Sequence, residues 1–158
     1  MGKFKKIIFL DEDNTMLGPY AEAVLRRRLA QLGLNRIQVA SRGRVVLFPE
    51  PVNQKICLIA HHMGITLETH MASQIRPSDF SDTTLVLVMD EDSKNRIYRK
   101  YKEAVNVFTL KSYVDVKGGL KLPIGGDIKE YEAVCRELDG LLELLIEKET
   151  DHDCGNRK

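Results

Sequence analysis

A continuous apolar run, Ile7-Ile8-Phe9-Leu10, stands near the start of the chain and ends on Asp11. Such a run is what a parallel strand buried on both faces shows, since neither side of it meets water. A polar loop, Asp11 to Gly18, follows at once. Pro19 then stands where a first helical residue would, because its missing N–H costs nothing there. Ala21, Leu25, Leu29 and Leu32 carry an apolar stripe onward at helical spacing. Strand, tight loop and helix N-terminus together make an anion cradle. Backbone N–H groups and the positive end of the helix dipole converge on one point there.

The rest of the chain repeats the alternation. Ile37 to Ala40 reads as a second strand ending at Ser41-Arg42-Gly43, and Pro51 opens a helix with Val52, Ile56, Ile59 and Met63 on one face, stopped by Gly64. Leu67 to Ser78 is an irregular connection. Leu85-Val86-Leu87-Val88-Met89 is the strongest strand signal and ends in Asp90-Glu91-Asp92, after which Ser93 is placed to cap a charged helix running to about Lys102. Val105 to Leu110 reads as a fourth strand. A Gly- and Pro-containing loop, Lys117 to Asp127, leads to a last helix with Tyr131, Val134, Leu138, Leu141 and Leu145 as its buried stripe. From about Thr150 the chain is polar and expected to fray, so residues 1–150 are read as one domain and 151–158 as a tail. The order predicts a doubly wound α/β domain that binds ligands beyond the carboxyl ends of its strands.

Composition narrows the function classes. A formal net charge of +1 gives no global drive toward nucleic acid or an anionic membrane. No apolar run approaches the roughly 18–20 residues of a membrane span. Lys3, Lys5 and Lys6 precede too short an apolar run for a signal peptide. The odd, scattered Cys57, Cys135 and Cys154 form neither a disulfide framework nor a zinc pattern. A cytoplasmic protein, a monomer or weak homodimer, is the expectation.

Beyond these readings, the chain resembles the low-molecular-weight protein tyrosine phosphatases over nearly its whole length. Their pattern is an apolar strand, then Cys-x-Gly-Asn-x-Cys-Arg-Ser-Pro-x-Ala-Glu-Ala. Here the strand is followed by Asp11-Glu12-Asp13-Asn14-Thr15-Met16-Leu17-Gly18-Pro19-Tyr20-Ala21-Glu22-Ala23. Ser41 and Gly43, Thr69-His70-Met71-Ala72-Ser73-Gln74, Ser78-Asp79-Phe80 and Leu87-Val88-Met89-Asp90 follow at the family's spacing. The runs Val107 to Tyr113 and Gly125 to Tyr131 look closer to a bacterial branch that includes protein arginine phosphatases, whose loop also carries a Thr at the position of Thr15. The resemblance implies a flavodoxin-like three-layer sandwich, with a four-stranded parallel sheet in the order 2-1-3-4 and helices on both faces. It also implies a phosphate loop made of Glu12, Asn14, Thr15, Met16, Leu17 and Gly18, with Ser41 beside it and His70 hydrogen-bonded to backbone near it.

The same resemblance sets the family's chemistry aside. Asp11 stands at the position of the thiolate nucleophile, Leu17 at that of the phosphate-gripping Arg, and Leu122, before Pro123, at that of the general-acid Asp. Loss of any one of these groups costs orders of magnitude in rate. The first reading is therefore a binding or regulatory protein with no cofactor, whose partner is a protein or a phosphorylated ligand.

A second pattern overlies the same residues. Asp11-x-Asp13-x-Thr15 after an apolar strand is similar to the first motif of haloacid-dehalogenase-type phosphatases, in which one Asp attacks phosphorus, the next handles the leaving group's proton, and magnesium neutralises the charges. In the order 2-1-3-4, Asp90 would end near Asp11 and Asp13, giving three carboxylates for one magnesium ion, with Ser41 holding a phosphate oxygen and Lys94 or Lys111 supplying a cation. A magnesium-dependent aspartyl phosphatase and a carboxylate cluster that only senses metal are the readings that follow.

The remaining candidates read as structural. His61 and His62 end a helix where a cation suits the dipole. Arg26, Arg27 and Arg28 point in three directions around theirs. Cys57 and Cys135 are packing residues. Asp151-His152-Asp153-Cys154 offers metal-ligand side chains on a tail with no fixed geometry.

Overall fold

Residues 4–123 and 125–156 are described by the computed structural model, with side chains to residue 151. Four strands, β1 (Lys6–Asp11), β2 (Gln38–Gly43), β3 (Thr84–Val88) and β4 (Val107–Thr109), form one parallel sheet in the order β2-β1-β3-β4. The expected order is the one observed. Every residue of β3, and all of β1 after Lys6, is buried, which is why these two segments read as unbroken apolar runs.

Alternation along the strands divides the core. Ile7, Phe9, Leu85 and Leu87 face the larger layer, built by α1 (Leu17–Gln31), α2 (Gln54–His62) and α5 (Ile128–Asn156). Ile8, Leu10, Val86 and Val88 face the smaller one, where Ile97 of α3 (Glu91–Lys100) packs with Ile75, Phe80 and Tyr101. Tyr131, Leu138, Leu141 and Leu145 of α5 are buried as read, as are Ala21, Leu25 and Leu29 of α1, whereas Leu32 lies past the end of α1 and is exposed. Among the described residues no helix is long and apolar enough to cross a membrane.

Several element ends differ from the sequence reading, each for a local reason. Helix α1 begins at Leu17, so Pro19 sits within the first turn, where its absent N–H still breaks no helical bond. Strand β2 runs on through Ser41 to Gly43 because β1 continues to pair with it as far as Asp11. Helix α2 starts after Asn53, whose side chain accepts from the amides of Lys55 (2.9 Å) and Ile56 (3.4 Å), and not at Pro51. The cap of α3 is Asp90, which accepts from the Ser93 amide at 2.8 Å; Ser93 is inside the helix. A carboxylate at that end also suits the dipole.

Strand β4 is shorter than its apolar run. Asn106 is left-handed (φ 57°), and Thr109 already caps the four-residue α4 (Leu110–Tyr113) by accepting from the Ser112 amide. On β4, the hydroxyl of Tyr98 from α3 both accepts from the Val107 amide (3.2 Å) and donates to the Val107 carbonyl (3.3 Å). Helix α5 runs past Thr150 to Asn156; the Thr150 hydroxyl donates back to the Ile146 carbonyl at 2.8 Å and so stays within the helix. In the Asp151-His152-Asp153-Cys154 run, the side chains after Asp151 lie outside the described residues.

The three arginines of α1 do part company: Arg26 pairs with Glu22 and donates to the Val39 carbonyl, Arg27 donates to the Met63 carbonyl, and Arg28 pairs with Glu143 of α5. Cys135 is buried and its thiol is pushed up to about 12 by that burial, as suits a packing residue.

Gly43 is the tightest point at the end of β2. A Cβ there would lie 2.6 Å from Val46 Cγ2, 2.7 Å from the Asp13 carbonyl carbon and 2.8 Å from the Asn14 nitrogen. Two of these neighbours are backbone and cannot swing away. Gly43→Ala is expected to lower stability by about 1–3 kcal/mol, as overpacking does; chemical denaturation of the two proteins checks it, and equal midpoints would refute the close approach.

Candidate active site

Asp11 is the last residue of β1, and Glu12 to Met16 carry the chain from there into α1. The loop is tied to its surroundings by backbone bonds: Arg44 N–H to the Asp11 carbonyl (2.9 Å), Val45 N–H to the Glu12 carbonyl (3.0 Å) and Asn53 N–H to the Thr15 carbonyl (2.8 Å). The turn itself depends on Asn14, which is fully buried and left-handed at φ 64°. Asparagine tolerates that conformation better than other residues with a Cβ.

The Asn14 side chain is a buried hub. Its amide donates to Ser41 Oγ at 3.0 Å, and its oxygen accepts from the Ser73 amide at 2.9 Å. His70 Nε2 lies 3.2 Å from both the side-chain oxygen and the carbonyl of Asn14, so it is the protonated nitrogen, the expected backbone contact near the loop. The Ser41 hydroxyl in turn donates to Glu22 at 2.8 Å, and Glu22 pairs with Arg26 at 2.9 Å. The hydroxyl hydrogen of Ser41 is therefore committed, and the expectation that Ser41 holds a phosphate oxygen is corrected: it braces Asn14 from behind.

The amides of the loop point at Asp11. Its Oδ1 accepts from the Asn14 amide and its Oδ2 from those of Met16 (3.2 Å) and Gly18 (3.0 Å). The carboxylate thus takes up the converging donors of the cradle. Leu17 does not face this space; it is fully buried in the larger core layer, while Thr15 is buried against Asp13.

Asp13 turns onto its own loop, accepting from the Thr15 hydroxyl (2.6 Å) and amide (3.2 Å). Asp90 caps α3, and Glu12 pairs with Arg44, whose guanidinium holds the Glu12 carboxyl below its usual range. Asp11 and Asp90 do line one crevice of about 1050 Å³, together with Glu12, Glu91, Met89 and Leu122, but Asp13 is not in its wall. Among the described residues no group of three or more His, Cys, Asp or Glu side chains is placed to hold a metal ion. The expected magnesium triad of Asp11, Asp13 and Asp90 is therefore corrected: each carboxylate is taken up by backbone amides, those of Asp11 and Asp13 within the loop and that of Asp90 at the start of α3. Neither lysine rescues the idea, since Lys94 pairs with Glu91 and Lys111 with Glu137.

Burial raises the Asp11 carboxyl from 3.8 to about 6, against the opposing pull of its three amide bonds. The folded state therefore holds this proton more tightly than the unfolded chain. Its contribution to stability is fully present below about pH 4 and is lost as pH rises through about 6. The loss is on the order of 3 kcal/mol at most. Unfolding midpoints of the protein and of Asp11→Asn, measured side by side across that window, should diverge, the unaltered protein losing ground as pH rises and the gap flattening above about pH 7. A gap that does not change with pH would refute the burial argument.

The sequence profile described as low molecular weight phosphotyrosine protein phosphatase matches residues 6–153. The chain is 31% identical over 151 residues to a protein-arginine-phosphatase of Bacillus subtilis, covering 90% of this chain and 95% of that protein. Among solved structures, the YwlE arginine phosphatase from Geobacillus stearothermophilus superposes with a TM-score of 0.85 at 27% identity, over 96% of each chain. A YwlE arginine phosphatase variant with serine in place of a cysteine, and with its active-site serine phosphorylated, superposes at 0.84 with 30% identity, over 90% of this chain and 94% of that one. With the sheet order, the loop and the crevice all in place, the chain belongs to the low molecular weight phosphotyrosine protein phosphatase family.

Proposed function

We propose that this chain is a phosphatase-family protein that binds without hydrolysing, and that it acts as a regulatory or scaffolding partner. One observation carries the reading: the carboxylate of Asp11 accepts the Asn14, Met16 and Gly18 amides of the cradle. A phosphoryl dianion entering the loop would meet a buried negative charge where it needs donors. The repulsion is large in a water-poor site.

The side chains around the cradle agree. Hydrolysis through a thiolate needs a cysteine in the loop, and the loop from Asp11 to Gly18 has none. Stabilising the transferring group needs a cationic fork, and the loop contains no arginine. Protonating the leaving group needs an acid, and Leu122, which lines the crevice ahead of Pro123, has no proton to give. What remains is a crevice with apolar walls at Met89, Val116, Leu120 and Leu122, open to a protein segment.

The test is hydrolysis of an aryl phosphate and of phosphoarginine, each with and without millimolar magnesium. The rates are expected to match buffer in all four conditions. A rate above buffer that disappears in Asp11→Asn would overturn the reading in favour of aspartyl phosphoryl transfer.

A further inference from the structure

The carboxylate of Asp11 does not behave as an ordinary helix cap. The residue in the capping position of α1 is Met16, which makes no side-chain cap bond, whereas Asp11 reaches the Met16 and Gly18 amides from the end of β1. Only 7% of Asp11 is exposed, and its three described hydrogen bonds all come from backbone amides. Gly18 leaves just enough room for it: a Cβ at that position would lie 3.1 Å from Oδ2 and 3.2 Å from Cγ.

The cradle is also held from outside. Asn14 is pinned by Ser41, Ser73 and His70, and the backbone carbonyls of Asp11, Glu12 and Thr15 by the amides of Arg44, Val45 and Asn53, with no part played by the Asp11 side chain. Converging amides fixed in this way are costly to leave unpaired, so a buried anion among them satisfies a need that the loop creates by itself. In the phosphorylated YwlE variant, an anion is carried covalently on an active-site side chain.

We propose that Asp11 is a permanent counterpart of such a phosphorylated state: an anion built into the chain that fills the loop, holds it in its anion-bound form and closes it to phosphate. This inference rests on the non-hydrolytic reading above. It assigns Asp11 a positive role, as an intramolecular ligand, beyond the loss of a nucleophile. Its consequence is that near neutral pH the crevice has a charged, occupied floor, so a partner meets the same surface whether or not phosphate is present.

The experiment is thermal denaturation of the full chain and of Asp11→Ser, in orthophosphate and in chloride of matched ionic strength near neutral pH. The full chain is expected to melt at the same temperature in both. Asp11→Ser should melt lower in chloride and recover roughly 5–10 °C when phosphate stands about a hundredfold above its Kd. Phosphate that raises both proteins equally, or leaves a folded Asp11→Ser unmoved, would overturn the inference. Should the variant not fold, NMR of the unaltered chain decides: the amides of Asn14, Met16 and Gly18 should ignore phosphate at neutral pH and shift as Asp11 takes up its proton. Amides that move on adding phosphate would overturn it. Hydrolysis by the unaltered chain would refute the functional reading, whereas phosphate binding without hydrolysis refutes this inference alone.

Discussion

The left-handed turn at Asn14 is the constraint on which the carboxyl end of the sheet depends. One side chain there reaches β2 through Ser41 and the segment before β3 through Ser73 and His70. Because Asn14 is fully buried, each of these bonds replaces a bond to water that the group has lost, and none can be dropped cheaply. The turn then dictates where the next amides point. Their convergence comes from backbone geometry fixed by an asparagine, whatever side chain stands at the end of β1.

That separation between a scaffold and its occupant makes the charge at Asp11 intelligible. A buried carboxylate with no compensation would be expelled or kept neutral. Three aligned amides and the N-terminus of a 15-residue helix supply the compensation. Burial and donation pull its protonation in opposite directions, and burial wins while still leaving the group ionised above about pH 6. The cradle is thus strong enough to hold a charge, yet the charge it holds is part of the same chain.

Much of this was legible in the sequence. Apolar runs located β1 and β3, and helical stripes located α1, α2 and α5, because burial on two faces or one leaves a periodic trace. The 2-1-3-4 order came with the family resemblance. Directions of short polar side chains left no such trace. The strand order alone puts Asp11, Asp13 and Asp90 at one end of the sheet and so suggested a shared metal site, but each accepts from a backbone amide near it in the chain. Local bonds of this kind outcompete a shared cluster because they need no second charge brought close. The hub role of Asn14 had one sequence signal, an asparagine inside a tight loop, whereas Glu22, Ser73 and the close approach at Gly43 depend on contacts between distant segments.

The hydroxyl of Tyr98 on Val107 bears on how the molecule can associate. An open edge strand offers amides and carbonyls to any passing chain, and is the usual template for strand addition and for aggregation. Here β4 is only three residues long, and a tyrosine from α3 occupies both polar groups of its first residue. At the other edge, Arg26 of α1 takes a carbonyl of β2. Neighbours that join by extending a sheet would have to displace these side chains first. Association is thereby steered to surfaces read by side-chain shape and charge, which favours discrimination between partners over indiscriminate pairing of backbones.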